Sequence, residues 1–238
     1  MRSVDTVLFD LDDTLHDDSR AYRAAARMAA EDVARSHPIV AEVLFEAYDR
    51  EVARFWGGLT VEHLSLGIDD TRSQMWFDAL HVAGIDDRAL AEATAAAYTR
   101  YRDEVLELAP GALTLIESLR ERGCKLGIVT NGFAATHHSK IARLGLTQLV
   151  DAVFLADEMG MVKPDPGVFR HAMERLGSVP ERTAMVGDRY DRDIAGALEL
   201  GLFTVLIDVH AIPLPLGARP PDATVAAIGD VLGVLPLG

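Results

Sequence analysis

Four groups of polar residues with reactive side chains each follow a short apolar run of the sequence. They are Asp10–Thr14, Thr130–Gly132, Lys163–Pro166 and Gly187–Asp193. Between them they contain several carboxylates, a hydroxyl, a carboxamide and an ammonium group. Such a mixture can bind a cation and an anion side by side, provided that the fold brings the four groups together.

The carboxylates indicate a divalent cation. Asp10 and Asp12 are two residues apart where the chain leaves a predicted strand, so both side chains can face the same side. Asp188 and Asp193 would join them. Several carboxylates at close range need raised pKa values or a cation. Oxygen ligands without clustered histidine or cysteine suit a hard divalent ion, and we predict Mg²⁺.

The same site has groups for an anion. A Mg²⁺ ion held by few carboxylates usually takes substrate phosphate as a further ligand. Lys163 and the backbone amides beside Thr130 and Asn131, at a predicted helix start, supply positive potential for that phosphate. Only three lysines occur in the chain, Lys125, Lys140 and Lys163, so each is a candidate for a specific chemical role.

Short apolar runs predict the elements that must position these groups. Runs of this length, rich in β-branched residues and separated by helical patterns, favour an α/β fold with an open, doubly wound parallel sheet, a Rossmann-like core. Ligands bind such sheets at the carboxyl ends of the strands, so the four polar groups should converge there. The five predicted strands contain Val7–Phe9, Leu126–Val129, Val153–Leu155, Ala184–Val186 and Thr204–Ile207.

Residues 16–106 contain no comparable strand run and instead carry four helical patterns. A connection of this length is too long for a simple crossover between strands. We therefore predict an inserted α-helical cap domain at 16–106, with a catalytic core formed by 1–15 and 107–238. Ser19 is the predicted N-cap of the first cap helix. The fourth helical pattern predicts a helix with one buried face, made by Leu90, Ala93, Ala97 and Tyr101.

Charge and composition exclude several classes of protein. The 238 residues carry a formal net charge of −14, with no basic run, which argues against nucleic acid and anionic membranes as partners. Cys124 is the single cysteine, so no intramolecular disulfide forms. The chain starts without a secretory pattern and contains no apolar stretch of membrane-spanning length. These features favour a cytoplasmic enzyme, which we expect to be a monomer or homodimer.

The four polar groups, in this order and at successive strand ends, resemble the motifs of the haloacid dehalogenase superfamily. Phe9–Leu15 resembles its first motif and Val129–Gly132 its second. Lys163–Pro166 resembles the third, and Gly187–Asp193 the fourth. The resemblance is to the branch with a helical cap inserted after the first motif. It implies a phosphatase that works through an aspartyl-phosphate.

The resemblance assigns a role to each matching residue. Asp10 would be the nucleophile, and Asp12 would protonate the leaving oxygen and then activate water. Mg²⁺ would be bound by the carboxylates of Asp10 and Asp188 and by the backbone carbonyl of Asp12. Asp193 would support the metal site, and Thr14 would orient the first loop.

The remaining matches concern the phosphate. Thr130 would hydrogen-bond the phosphoryl oxygens, assisted by Asn131, and Lys163 would hold nucleophile and phosphate together. Thr130 and Asn131 also favour helix capping, which stays open as an alternative. Asp191 and Asp193 compete for the second acidic role; Asp193 fits the motif better, and Asp191 should face solvent.

Other reactive residues receive structural interpretations. Asp13 is expected to be solvated or capping, and Asp165 to cap the helix that it precedes. His137 and His138 lie in a segment predicted to form a surface helix, where a structural role is favoured. Cys124 is expected to be a buried small apolar residue.

We therefore predict a Mg²⁺-dependent phosphatase of small phosphorylated metabolites. One alternative is 2-haloacid dehalogenation, in which the nucleophile displaces halide from carbon without a metal; Asp12 argues against it, since dehalogenases lack an acid at that position. A phosphomutase is a second alternative. A phosphoacceptor receiver domain or a binding protein without turnover belongs to a different class. The cap contains no motif that identifies the substrate.

Overall fold

The computed structural model describes residues 3–209 and 211–238. The chain divides into two compact units, one formed by Asp18–Leu106 and the other by the described residues on either side of that segment. The flanking segments form an α/β unit, and the inserted segment forms a helical unit. No helix of the described residues is both long enough and apolar enough to cross a bilayer.

The α/β unit is built on a six-stranded sheet in the order β3-β2-β1-β4-β5-β6, and every neighbouring pair is parallel. This arrangement confirms the predicted doubly wound sheet, and each predicted apolar run lies in a strand. The strands are β1 (Thr6–Phe9), β2 (Lys125–Thr130), β3 (Ala152–Leu155), β4 (Thr183–Gly187), β5 (Phe203–Ile207) and β6 (Ala223–Val225).

The helical unit contains five helices whose small residues and aromatic rings form its core. Tyr48 stacks on Trp76 with ring centroids 3.9 Å apart, and Tyr98 packs against Tyr48 at 5.4 Å. Stacking of these large rings gives the unit a hydrophobic centre of its own. The helices are α1 (Asp18–Ser36), α2 (Ala41–Gly57), α3 (Val61–Leu64), α4 (Ile68–Val82) and α5 (Arg88–Glu104).

Two local predictions for the helical unit were wrong. Ser19 lies within the first turn of α1, which begins at Asp18, and does not precede it. In α5 the buried residues are Ala91, Thr94, Ala95 and Tyr98, so the buried face is rotated from the predicted one. Thr94 tolerates burial because its hydroxyl donates to the carbonyl of Leu90 at 2.7 Å.

Helices cover both faces of the sheet. In β1, Phe9 packs into the apolar cluster that includes Leu115 and Leu119, while the preceding Leu8 packs on the opposite face with Phe169. Asp165 caps the helix that follows it by accepting a hydrogen bond from Gly167 N at 2.7 Å, as predicted. The helices of this unit are α6 (Ala112–Glu121), α7 (Ala134–Arg143), α8 (Ala156–Met159), α9 (Pro166–Leu176) and α10 (Ala195–Leu200).

The strand order determines where a site can form. The strand order reverses at β1, which lies between β2 and β4: β2 and β3 follow on one side of it, and β4, β5 and β6 on the other. In open α/β sheets, a crevice forms where the strand order reverses, beyond the carboxyl ends of the strands. The loop after β1 begins with Asp10, β2 ends with Thr130, and Asp188 follows β4. The four polar groups of the sequence therefore lie at one edge of the sheet.

Candidate active site

The loop after β1 places Asp10 and Asp12 at this edge. The backbone N–H of Asp10 donates to the carbonyl of Val186 in β4 at 2.9 Å, which extends the sheet pairing by one residue. Asp13 adopts a positive φ of 57°, a conformation that aspartate tolerates better than most residues. The N–H of Asp13 then donates to His16 O at 2.7 Å, which closes a compact loop.

Lys163 joins two carboxylates that are distant in sequence. Its Nζ donates to Asp10 Oδ1 at 2.7 Å and to Asp193 Oδ1 at 2.6 Å. The second oxygen of Asp193 accepts from the backbone N–H of Arg189 at 3.0 Å. All three side chains are buried. A buried ammonium group is stabilised only when such partners replace its hydration, so this network fixes both Lys163 and Asp193.

Burial and the neighbouring charges shift the pKa values of the three residues in this network. Loss of hydration raises the pKa of Asp10 to about 7, against the opposing attraction of Lys163, with a further increase from Asp193. Burial also raises the pKa of Asp193. Although burial alone would lower the pKa of Lys163, the two carboxylates outweigh it and raise that pKa. Two carboxylates share one ammonium group, so the ionised cluster attracts a further cation.

Three carboxylates could hold that cation. Asp10, Asp188 and Asp193 each offer an oxygen, and these oxygens lie within 4.8 Å of one another. All three residues are buried, and the donor set is oxygen only, which suits a hard divalent ion. Thr14 Oγ1 donates to Asp188 Oδ1 at 3.4 Å. Both oxygens of Asp193 accept hydrogen bonds, one from Lys163 Nζ and one from the backbone N–H of Arg189.

Asn131 connects the loop after β2 to the loop that carries Lys163. Its Nδ2 donates to Lys163 O at 3.0 Å, and Lys163 N donates back to its Oδ1 at 2.8 Å. Thr130 is buried at the end of β2. Helix capping, the alternative for both residues, is wrong: α7 has Phe133 at its N-cap, and Ala134 N donates to Asp157 Oδ2 at 3.0 Å.

The two candidate aspartates of the fourth group have different surroundings. Asp191 is exposed and pairs with the guanidinium of Arg189 at 2.9 Å. Asp193 is buried and contacts Lys163. A short π-helical segment, Tyr190–Ile194, precedes α10 and turns Asp193 inward. The structure thus places Asp193, and not Asp191, beside the other candidate residues.

Sequence reasoning did not predict that two residues of α7 contact Asp12. Lys140 Nζ donates to Asp12 Oδ1, and His137 Nε2 lies 3.4 Å from Asp12 Oδ2. The surface-helix prediction was wrong for this face, because His137 and Lys140 are both buried, whereas His138 is exposed and pairs with Glu158. The rarity of lysine and the three-residue spacing of His137 and Lys140 were the available signals.

Comparison with known families identifies the class. The family model of the haloacid dehalogenase-like hydrolases matches residues 4–201. This range covers most of the chain and includes all four polar groups. This protein therefore belongs to the haloacid dehalogenase-like hydrolase family.

Named relatives lie within the same family. The chain is 33% identical over 208 residues to a glyceraldehyde 3-phosphate phosphatase of Methanopyrus kandleri, covering 86% of this chain and 84% of the relative. It is 36% identical over 213 residues to a ribulose-1,5-bisphosphate 5-phosphatase of Halopiger xanaduensis, covering 85% and 84%. The magnesium-bound crystal structure of the HAD-hydrolase YfnB from Bacillus subtilis matches with a TM-score of 0.79 at 24% identity, covering 99% of this chain and 100% of that one.

Proposed function

We propose that this protein is a Mg²⁺-dependent phosphatase that hydrolyses phosphate monoesters of small metabolites through an aspartyl-phosphate on Asp10. The observation that carries the proposal is the buried contact of Asp10 with Lys163, with the carboxylates of Asp188 and Asp193 beside it. The named relatives act on phosphorylated sugars of three and five carbons. Short sugar phosphates are therefore the first substrate class to test.

In the first half-reaction, a carboxylate oxygen of Asp10 attacks phosphorus, and the bond between phosphorus and the ester oxygen breaks. Asp12 donates its proton to that leaving oxygen, which departs as an alcohol. Lys163 holds Asp10 in place and offsets negative charge on the phosphoryl group. Thr130, at the end of β2, is the proposed donor to the phosphoryl oxygens.

In the second half-reaction, water attacks phosphorus and the bond from phosphorus to Asp10 breaks. Asp12, now a carboxylate, accepts a proton from that water, so inorganic phosphate leaves and Asp10 and Asp12 regain their starting states. The same carboxyl thus serves as acid and then as base. Its position relative to phosphorus matters in both halves.

The proposed Mg²⁺ ligands are the carboxylates of Asp10 and Asp188 and the backbone carbonyl of Asp12. The geometry that supports them is the group of closely spaced, buried carboxylate oxygens. When bound, Mg²⁺ neutralises charge on the carboxylates and the phosphoryl group, so that two anions can approach each other. Asp193 holds Lys163 and thereby supports this site, and Thr14 orients Asp188.

We further propose that the helical unit, Asp18–Leu106, serves as a cap that selects the leaving group. Caps of this kind exclude bulk water from a reactive intermediate. A cytoplasmic location is proposed from the acidic composition and from a single cysteine that is buried. The expected oligomeric state, monomer or homodimer, is open to measurement by light scattering.

Dehalogenation of 2-haloacids is the second candidate, because a buried nucleophilic aspartate beside a lysine would also suit displacement of halide from carbon. Asp12 counts against it, since that reaction needs no acid to protonate a halide. The surroundings of Asp12 strengthen the objection: two buried side chains of α7 lie against its carboxyl. A carboxyl held in this way fits proton transfer to an alkoxide.

The test is phosphate release from a panel of phosphate esters, with Mg²⁺ and with EDTA. Wild type, Asp10→Asn and the exposed control Asp191→Asn are compared, and halide release from 2-haloacids is followed in parallel. We expect Mg²⁺-dependent phosphate release in wild type and Asp191→Asn, and none in Asp10→Asn. Halide release without metal, or isomerised phosphoester without free phosphate, would replace the phosphatase assignment by a dehalogenase or a mutase.

A further inference from the structure

The carboxyl of Asp12 is contacted from two directions by buried side chains of α7. Lys140 Nζ donates to one carboxylate oxygen, and His137 Nε2 lies 3.4 Å from the other. The side chains of Lys140 and His137 are each 4% exposed, whereas that of Asp12 is 29% exposed. The carboxyl is thus accessible to a substrate while the groups that contact it are not.

Burial of Lys140 needs an explanation. An ammonium group inside a protein costs several kcal/mol of hydration, and a helix near the surface usually turns its lysines to solvent. Here α7 turns Lys140 inward to a residue 128 positions earlier in the chain. The neighbouring His138 remains exposed at the surface. Lys140 thus faces the loop after β1, where it donates to Asp12.

The orientation of His137 is also restricted. Its Nδ1 lies 3.1 Å from the carbonyl of Phe133, which can only accept, so Nδ1 carries a hydrogen and Nε2 faces Asp12. The ring occupies the space beside Gly132: a Cβ at that glycine would fall 2.0 Å from Cε1 of His137. Gly132 thereby leaves room for the imidazole at Asp12.

We propose that Lys140 and His137 are positioning residues that hold the carboxyl of Asp12 in the orientation needed for proton transfer. This inference rests on the proposed phosphatase function. Asp12 lies in a loop, next to a residue of positive φ, and its own side chain is partly exposed. Lys140 donates to one carboxylate oxygen and the ring of His137 lies 3.4 Å from the other, so the two side chains together restrict the rotation and the location of the carboxyl.

The proposal separates the two chemical steps. Departure of an alkoxide requires the proton of Asp12, whereas p-nitrophenolate is a stable anion and departs without it. Attack of water on the aspartyl-phosphate requires Asp12 as base for every substrate. Misplacing Asp12 should therefore spare phosphorylation of Asp10 by p-nitrophenyl phosphate and slow the hydrolysis that follows.

The experiment is stopped-flow release of p-nitrophenol from p-nitrophenyl phosphate, with Mg²⁺, for wild type, Lys140→Met and His137→Gln. For Lys140→Met we expect a burst of about one equivalent per active site, with a burst rate within about threefold of the wild-type first turnover. The steady rate after the burst should fall about 10²-fold, the usual scale for general acid–base catalysis. First-turnover cleavage of an alkyl phosphate should fall by a similar factor.

The controls distinguish positioning from folding. His138→Gln, on the exposed face of the same helix, should behave as wild type. Lys140→Arg retains a cationic donor and should recover part of the steady rate. A folding defect lowers the burst amplitude and the steady rate by the same factor, since it reduces the number of active sites. An equal loss in both phases, or no loss in either, would overturn the proposal.

The outcome for wild type tests the underlying function separately. Mg²⁺-dependent turnover that is lost in Asp10→Asn supports the phosphatase assignment whatever Lys140→Met does. Wild type without turnover of any phosphate ester would contradict the phosphatase, and the role of Lys140 with it.

Discussion

Two buried lysines each hold a carboxyl of the loop after β1, and their surroundings differ. Lys163 contacts two buried carboxylates, Asp10 and Asp193. Lys140 contacts Asp12, whose side chain is partly exposed. The first cluster has an excess of negative charge and is mostly buried. In the second, the partly exposed carboxyl of Asp12 accepts a hydrogen bond from Lys140 and lies 3.4 Å from Nε2 of His137.

This difference separates two tasks that aspartates perform in one site. A nucleophile that must approach a phosphate benefits from a fixed lysine and from a metal ion, because both reduce anionic repulsion. A carboxyl that exchanges protons must reach the leaving group and then water. Asp10 and Asp12 are only two residues apart in one loop, but different elements contact them. The loop that carries Lys163 contacts Asp10, and α7 contacts Asp12, so the two carboxyls can perform different chemistry.

The largest effect should come from the first cluster. We expect Lys163→Met to lower phosphate release on the order of 10³-fold or more, in both half-reactions, because the charge next to Asp10 is lost. Lys140→Met should be milder and confined to proton transfer. Single-turnover and steady-state kinetics of both variants measure the contrast. If both lysine variants lost the same factor in single-turnover and in steady-state rate, the distinction between the two clusters would be wrong.

Metal removal should act mainly through the carboxylates of the first cluster. EDTA is expected to abolish turnover, and added Mg²⁺ to raise the thermal unfolding temperature, because an ion that binds only the folded protein stabilises it. Asp188→Asn should weaken both responses, since it removes a proposed ligand. Titration of Mg²⁺ followed by calorimetry checks this, with Asp191→Asn as the matched exposed aspartate. Unchanged Mg²⁺ affinity in Asp188→Asn would contradict the proposed ligand set.

The two aspartates of the fourth group provide a stability test. Asp193→Asn places an amide donor against Lys163 or the N–H of Arg189, and we expect a loss of about 3 kcal/mol in the free energy of unfolding. Asp191→Asn, at an exposed ion pair, should change it by less than about 0.5 kcal/mol. Urea denaturation measures both values. A loss in Asp193→Asn as small as that expected for Asp191→Asn would mean that the buried network adds little to stability.

The last expected effect is on the pH dependence of stability without metal. The pKa of Asp10 is raised by burial from 3.8 to about 7, so the folded protein keeps a proton that the unfolded chain loses between these values. Stability contributed by protonated Asp10 is present below pH 4 and is lost as the pH rises towards 7. In EDTA, Asp10→Asn should therefore gain stability relative to wild type over this range. Thermal unfolding at pH 4, 5.5 and 7.5 checks the sign, and a constant difference would contradict the shift.

The sheet was predictable because its strands are continuous apolar runs, and β1 to β5 all contain the predicted residues. The four motifs were expected to converge because the carboxyl ends of parallel strands lie at the same edge of the sheet. In α5, by contrast, the pattern gave the helix but not its buried face. Alanine and threonine at 91 and 94 carry little hydropathy signal, and packing of Tyr98 on Tyr48 decides which face is buried.

The candidate site was predictable only where residues belong to a contiguous motif. Lys163 precedes Pro164 in the loop after α8, whereas Lys140 lies in an ordinary helix. Its partner is 128 residues away, and no local pattern encodes that contact. The capping alternative for Asn131 was wrong for a similar reason: its partners are the backbone groups of Lys163, in another loop.

The most direct measurement is the position of the phosphoryl group in the covalent intermediate. Protein is quenched in acid during turnover of a phosphate ester, digested, and its phosphopeptides are sequenced by mass spectrometry. We expect phosphate on Asp10, more of it in Lys140→Met than in wild type, and none in Asp10→Asn. Phosphate on Asp12 or on another residue, or turnover by Asp10→Asn at the wild-type rate, would contradict the assignment of Asp10 as nucleophile.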